Sequence, residues 1–320
     1  MKRPTVFWRL YPGDENEPTR RRRGLMVCAG LRRLGWDVHN EAPDGCDIAV
    51  IQRIAQPNDM ASHKVAGRIA IFDQNDDLLS KGSRFHLPTE AATVASADYV
   101  VVGCRYMQRL YARINRRVLV IPDMLEDEHW TTSRVDLPDS PLVLSWVGMS
   151  DNLQYVEPIV LELAGIKDLR LRIVTTELDS RRCNNRERVA AWPIPSDFVT
   201  WRMDTFISEM SKAHVGFVPL PDTSFARSKG PHKSVAFGAL GLPVIASDMP
   251  GYREVIRHGE TGLLADSPEE FRACIEQLRD PELRERLGQA GRSFSKFFTG
   301  AAVSKLWEKL IWSVWKERGS

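Results

Sequence analysis

The chain has 320 residues, more than a single hydrophobic core usually organises, so two domains are expected. Hydrophobic residues make up 43% and charged residues 27%, a balance that excludes a disordered chain, and the net charge of +2 gives no case by itself for a polyanionic partner. The five cysteines (Cys28, Cys46, Cys104, Cys183, Cys274) lie far apart, with no CxxC pair and no Cys/His cluster at metal spacing. They read as reduced, mostly buried thiols rather than disulfides or zinc ligands.

The chain opens MKRPTVFWRLYPGDE, whose short apolar run is broken by Arg9 and reads as a first strand, not a secretion signal. No stretch approaches the roughly 20 apolar residues of a membrane span. The expected location is the cytoplasm. Strands are predicted at Thr5–Leu10, Asp47–Gln52, Ile69–Phe72, Tyr99–Val102 and Val118–Ile121. A helix over Arg20–Leu34, ended by Gly35, lies between the first two. The last two strands frame a helix, which makes a βαβ unit with a right-handed crossover. Residues 129–140, acidic and loop-like, are the expected linker between a domain at 1–128 and a second at 141–299.

The second domain repeats the rhythm. Strands are predicted at Leu142–Val147, Leu171–Val174, Phe198–Trp201, Val215–Pro219 and Pro243–Ala246, with a helix over Asn152–Leu163. Ser267-Pro268-Glu269-Glu270 is a capping box, and Asp280-Pro281 opens the following helix in the same manner. Residues 300–320 form a last helix with Val303, Leu306, Trp307, Leu310, Ile311, Val314 and Trp315 on one stripe. Two readings stand for it: a helix packed back on the body, or one lying on a membrane surface. The fold class is therefore α/β, two Rossmann-like parallel-sheet domains facing a cleft, with ligands expected at the carboxyl ends of the strands.

The most informative stretch runs from Val215 to Ala265. A buried strand is followed by a loop carrying Arg227, Lys229 and Lys233, and a short helix begins near Pro231. A helix start presents free backbone N–H groups that favour an anion, and these cations beside it suit a diphosphate. A solvated basic loop is the alternative on charge alone. PLPDTSFARSKGPHK, ALGLPVIAS, PGYREVI and HGETGLL resemble, in order and spacing, the donor-binding region of retaining GT-B glycosyltransferases of the family-4 group, in its K-S-P-x-K subgroup. LSWVGMSDNLQYVEPI, RIAIFDQNDDLL and ADYVVVGCRYMQRLY with RVLVIPDML extend the resemblance more weakly over most of the chain.

The resemblance implies a GT-B fold and transfer of a sugar from a UDP- or GDP-sugar to an acceptor hydroxyl, with retained configuration; no cofactor is expected, and no metal, since no isolated DxD motif stands in a donor position. It assigns Arg227, Lys229 and Lys233 to the donor diphosphate, the backbone of Gly148, Met149 and Ser150 to close approach of the phosphates, and Glu254 to the sugar end; Pro231 and His232, on the same turn as Lys233, are candidate donor contacts by position. Glu254 also reads as a helix-start carboxylate favoured by the dipole. His86 is the candidate catalytic group of the N-terminal domain. Asp76 and Asp77 line the acceptor side or, alternatively, cap a short helix. The family's paired glutamates fall at Ser228 and Ala236, so both carboxylates of the Glu-x7-Glu motif are lost.

That loss keeps open a catalytically degenerate nucleotide-binding or partner subunit. An epimerase and a glycosyltransferase of modified nucleic-acid bases are further alternatives. The Arg20–Arg23 run reads as a solvated turn or as an attractor for an anionic acceptor. The acceptor (glycan, lipid-linked, small molecule or modified nucleic acid) and the oligomeric state stay open, as does peripheral membrane contact.

Overall fold

The computed structural model describes residues 2–41, 45–53, 55–80 and 87–318. The chain divides into two compact units. The first comprises Met1–Glu126, Thr223–Gly230 and Phe297–Ser320; the second comprises Asp127–Asp222 and Pro231–Lys296.

The first unit holds strands β1 (Val6–Arg9), β2 (Val38–His39), β3 (Ile48–Gln52), β4 (Ile69–Gln74), β5 (Tyr99–Val102) and β6 (Val118–Val120), in the order β2-β1-β3-β4-β5-β6. All pair in parallel. β3 and β4 are buried at every residue, as expected of parallel strands covered on both faces. Side chains alternate between two cores. Ile48, Val50 and Ile71 join Trp8, Cys28 and Leu31 on one face, while Ala49, Ile51 and Phe72 join Met60, Val94 and Met107 on the other.

The last helix, Gly300–Arg318, completes the first of these cores with Val303, Trp307, Leu310, Ile311 and Val314. Trp307 meets Trp8 edge-on at 4.7 Å between ring centroids. A side chain at Gly30 would overlap Ser304, so this glycine permits the close approach of the two helices. The apolar stripe of the last helix thus packs on the first unit's sheet, except for Leu306, which is 42% exposed. No helix of the described residues is long and apolar enough to cross a membrane.

The Arg20–Arg23 run is neither a solvated turn nor an open attractor. It lies in a helical stretch formed by Pro18–Arg20, a π-helical turn at Arg21–Leu25 and an α-helix at Met26–Arg33. Arg21 and Arg22 both donate to Glu126 Oε1, at 3.0 and 2.8 Å. Arg23, 2% exposed, pairs with Asp73 at 2.5 Å and Asp123 at 3.0 Å and donates to the Ile121 carbonyl. Acids far along the chain turn a basic run into internal structure.

The second unit holds β7 (Leu142–Val147), β8 (Leu169–Thr175), β9 (Ser196–Thr200), β10 (Val215–Val218), β11 (Val244–Ser247) and β12 (Leu263–Ala265), again all parallel, in the order β12-β11-β10-β7-β8-β9. Leu144, Trp146, Leu171, Ile173, Phe217 and Ile245 share one core. Helix starts follow the sequence signals: Ser267 accepts from the Glu270 amide and Asp280 from the Glu282 amide. The last-but-one strand pair, β11 with β12, carries Leu263–Ala265 onto the sheet edge, a strand the alternation of the sequence does not announce.

Candidate functional site

In the second unit, the loops after β7, β10 and β11 leave neighbouring strands at their carboxyl ends. Gly148 follows β7 directly. Its amide donates to the Val174 carbonyl at 3.2 Å, and Thr175 Oγ1 donates to its carbonyl at 2.8 Å, so β8 fixes the loop. A Cβ built on Gly148 would stand 2.6 Å from the Trp146 ring and 2.9 Å from Lys233 Nζ. Only glycine leaves this backbone open beside the lysine. Met149 is 60% exposed and Ser150 is buried, the latter beginning a 3₁₀ turn at Ser150–Asn152.

Lys233 lies in the first turn of the helix His232–Ala239, its Nζ 5.0 Å from the centre of the Trp146 ring. That cation–π contact aims the ammonium toward Gly148. Pro231 caps the helix with no side-chain hydrogen bond to its first amides, and Ser234 Oγ, in the same turn, is buried without a hydrogen-bond partner. A helix start, an ammonium and a glycine with no side chain between them together suit an anion. Glu254 ends the 3₁₀ turn Tyr252–Glu254 after β11 and is half-buried; its neighbour Arg253 pairs with Asp248.

The first unit contains the other cations of the same loop. Thr223 caps the short helix Ser224–Arg227, and Arg227 is exposed at its end. Lys229 Nζ pairs with Asp76 Oδ1 at 2.7 Å and lies 4.1 Å from the centre of the Phe225 ring. Arg53 takes the other oxygen of Asp76 at 2.8 Å and stacks on Tyr11 at 4.9 Å. Burial alone would raise the Asp76 pKa, but Lys229 and Arg53 outweigh it and hold the carboxyl below its ordinary value. Arg53 also adopts φ 50°, an uncommon conformation for a non-glycine residue, just past the end of β3.

Asp77 accepts from the Leu79 and Ser80 amides at 3.0 and 2.9 Å, so its side chain caps a turn. Its own amide donates to Ser228 Oγ at 3.3 Å. Ser228 and Ala236, where the resemblance places glutamates, are 0% and 3% exposed. His86 lies outside the described residues. Among the described residues, no group of three or more His, Cys, Asp or Glu is placed to hold a metal ion.

Sequence reasoning passed over Trp146, Ser234, Arg53 and Glu90. Trp146 reads as core in an apolar strand, and it is core; its role toward Lys233 comes from a contact across 87 positions that spacing does not show. The one available signal was the tryptophan two residues before a glycine at a strand end.

Residues 235–294 match the family described as Glycosyl transferases group 1. The D-inositol 3-phosphate glycosyltransferase of Acidothermus cellulolyticus is 26% identical over 225 residues, 62% of this chain and 49% of that protein. The chain spans half or less of the length of the curated relatives it matches. Among solved structures, a glycosyltransferase from Rickettsia africae superposes with a TM-score of 0.76 at 12% identity, covering 98% of this chain and 99% of that one. Anabaena HepE in complex with UDP superposes with a TM-score of 0.70, also at 12% identity, over 97% of this chain and 100% of that one. The chain therefore has the GT-B fold, and its residues 235–294 match the glycosyl transferases group 1 family.

Proposed function

We propose that this protein is a glycosyltransferase that moves a sugar from a nucleoside-diphosphate donor to an acceptor hydroxyl. The observation that carries the proposal is the meeting of Lys233, the side-chain-free Gly148 and the start of the helix His232–Ala239 at the carboxyl ends of β7 and β10. Transfer requires the charge of the departing diphosphate to be stabilised as it develops. Lys233 and the amides of His232–Ser234 supply that stabilisation as fixed positive ends, without the reorganisation that water requires. Arg227 and Lys229 are the further phosphate cations that the resemblance assigns, and Glu254 serves the sugar end.

The match of residues 235–294 supports the transferase class. A fold shared with a protein solved with UDP supports a uridine nucleotide as the first donor to try, with GDP-sugars second. Retention of configuration and independence of metal belong to the same proposal. Thermal-shift titration with UDP and GDP, followed by turnover of pooled UDP- and GDP-sugars with and without a chelator, tests it. Stabilisation by one nucleotide and chelator-resistant turnover are expected.

The loss of both motif carboxylates favours a second reading. With Ser228 and Ala236 buried where glutamates are expected, the chain would bind nucleotide without transferring sugar and would support a partner enzyme. Nucleotide binding with no turnover on any acceptor pool distinguishes it.

A further inference from the structure

The turn after β4 is held from beneath by a buried polar network. Gln74 Oε1 accepts from the Asn75 and Asp76 amides at 2.9 and 3.1 Å, and Gln74 Nε2 donates to Glu90 Oε1 at 2.8 Å. Tyr111 Oη lies 3.1 Å from the Asp76 carbonyl and 2.9 Å from the same Glu90 oxygen. Tyr111 and Glu90 are 0% exposed, and Glu90 Oε2 is buried with no hydrogen-bond partner.

Tyr111 has one proton and faces two acceptors. If Glu90 is ionised, the tyrosine must leave either a carboxylate or the Asp76 carbonyl short of a donor, and Oε2 carries charge in a dry site. If Glu90 is protonated, the conflict at Tyr111 is removed and no charge is buried. Glu90 Oε1–H donates to Tyr111 Oη, Tyr111 donates to the Asp76 carbonyl, and the remaining Oε2 is a neutral carbonyl oxygen.

We propose that Glu90 is a positioning residue whose protonated form fixes the Asn75–Asp77 turn and, through it, the Asp76–Lys229 pair. Ionisation releases the proton to solvent, turns the Tyr111 hydroxyl toward the carboxylate and strips the Asp76 carbonyl of its donor. The groups that face Glu90 are Gln74 from β4, Tyr111 from the helix Arg105–Tyr111, Asp77 from the turn and Arg53 from the end of β3. Burial is the largest influence on Glu90, and its pKa is pushed up from 4.5 to about 7 although Gln74 and Tyr111 oppose the rise. The inference rests on the reading of Lys229 as a donor-binding cation.

The sign follows from a raised pKa in the folded state. The stabilising contribution of Glu90 is complete below about pH 4.5 and is lost as pH rises through about 7. Glu90→Gln keeps the shape and donor of the protonated acid at every pH. Unfolding temperatures of the wild type, Glu90→Gln and Tyr111→Phe are measured from pH 5 to 8.5, together with UDP and GDP affinities.

Glu90→Gln should come closest to the wild type at the acid end of the range, gain on it as pH rises to about 7 and hold a constant lead above that, while Tyr111→Phe, which lacks the Asp76 donor, should be less stable at every pH. Whichever nucleotide binds should bind Glu90→Gln as tightly as the wild type at pH 6 and Tyr111→Phe about tenfold less tightly, the loss of one well-placed hydrogen bond. A wild-type and Glu90→Gln difference that stays constant across the range overturns the inference, as does unchanged affinity in Tyr111→Phe. If neither nucleotide binds the wild type, the transferase reading fails, and with it the link to Lys229; the unfolding-temperature arm still decides the protonation of Glu90.

Discussion

Each unit has its own parallel six-stranded sheet, and the two differ in how the carboxyl ends of the strands are used. In the first unit those ends carry internal ion pairs and hydrogen bonds. Arg23 meets Asp73 and Asp123, Asp76 is shared by Arg53 and Lys229, and Glu90 is tied to Gln74 and Tyr111. In the second unit Gly148 is bare, the helix at His232 starts without a side-chain cap, and Lys233 is steered by an aromatic ring. The lesson is that basic residues do not mark a site by number. Four consecutive arginines form structure, while one lysine at a helix start beside a glycine is the candidate cradle.

The comparison breaks first, and with the largest effect, at Arg23. Arg23→Met leaves Asp73 buried without its main cation, and equilibrium urea unfolding should show a loss of about 3–5 kcal/mol. A loss below about 1 kcal/mol would mean that the network is not a structural element.

On the other side, Lys233→Ala removes a charged donor from the cradle. Calorimetric affinity for UDP or GDP should fall by about 1.5–3 kcal/mol with little change in unfolding temperature. Gly148→Ala sharpens the same point, because its Cβ must displace Trp146 or Lys233. About 1–3 kcal/mol of stability should be lost, and nucleotide affinity should fall with it. The smallest effect belongs to a residue remote from both regions. Ser267→Ala removes one helix cap, about 1 kcal/mol by urea unfolding, and should leave nucleotide affinity unchanged.

Much of this organisation was legible from residue pattern. Apolar runs such as Ile48–Gln52 and Ile69–Gln74 announce buried parallel strands, and Pro after Ser267 and Asp280 marks true helix starts. The short strands Val38–His39 and Leu263–Ala265 were not legible, since two or three residues at a sheet edge carry no period. Nor was the fate of the Arg20–Arg23 run, because the partners Asp73, Asp123 and Glu126 lie 50 to 105 positions away.

The candidate site was legible in part. Lys233 and Gly148 stood out through a helix-start proline and a strand-end glycine, and the fold brings them side by side. Lys229 stood out for the same reason, yet its ion pair with Asp76 depends on tertiary contact alone. Glu90 gave no signal at all. In TEAATVAS it reads as a first-turn acid on an exposed helix, and only its burial against Gln74 and Tyr111 gives it significance.

On the proposed function, the second unit binds a nucleoside diphosphate through Lys233 and the start of the helix His232–Ala239. Isothermal titration of the wild-type chain and of Lys233→Ala with UDP and GDP tests it most directly. The wild type should bind at least one of them saturably, and the substitution should weaken that binding about tenfold or more. Absence of binding at millimolar nucleotide, or equal affinity in the two proteins, would contradict it.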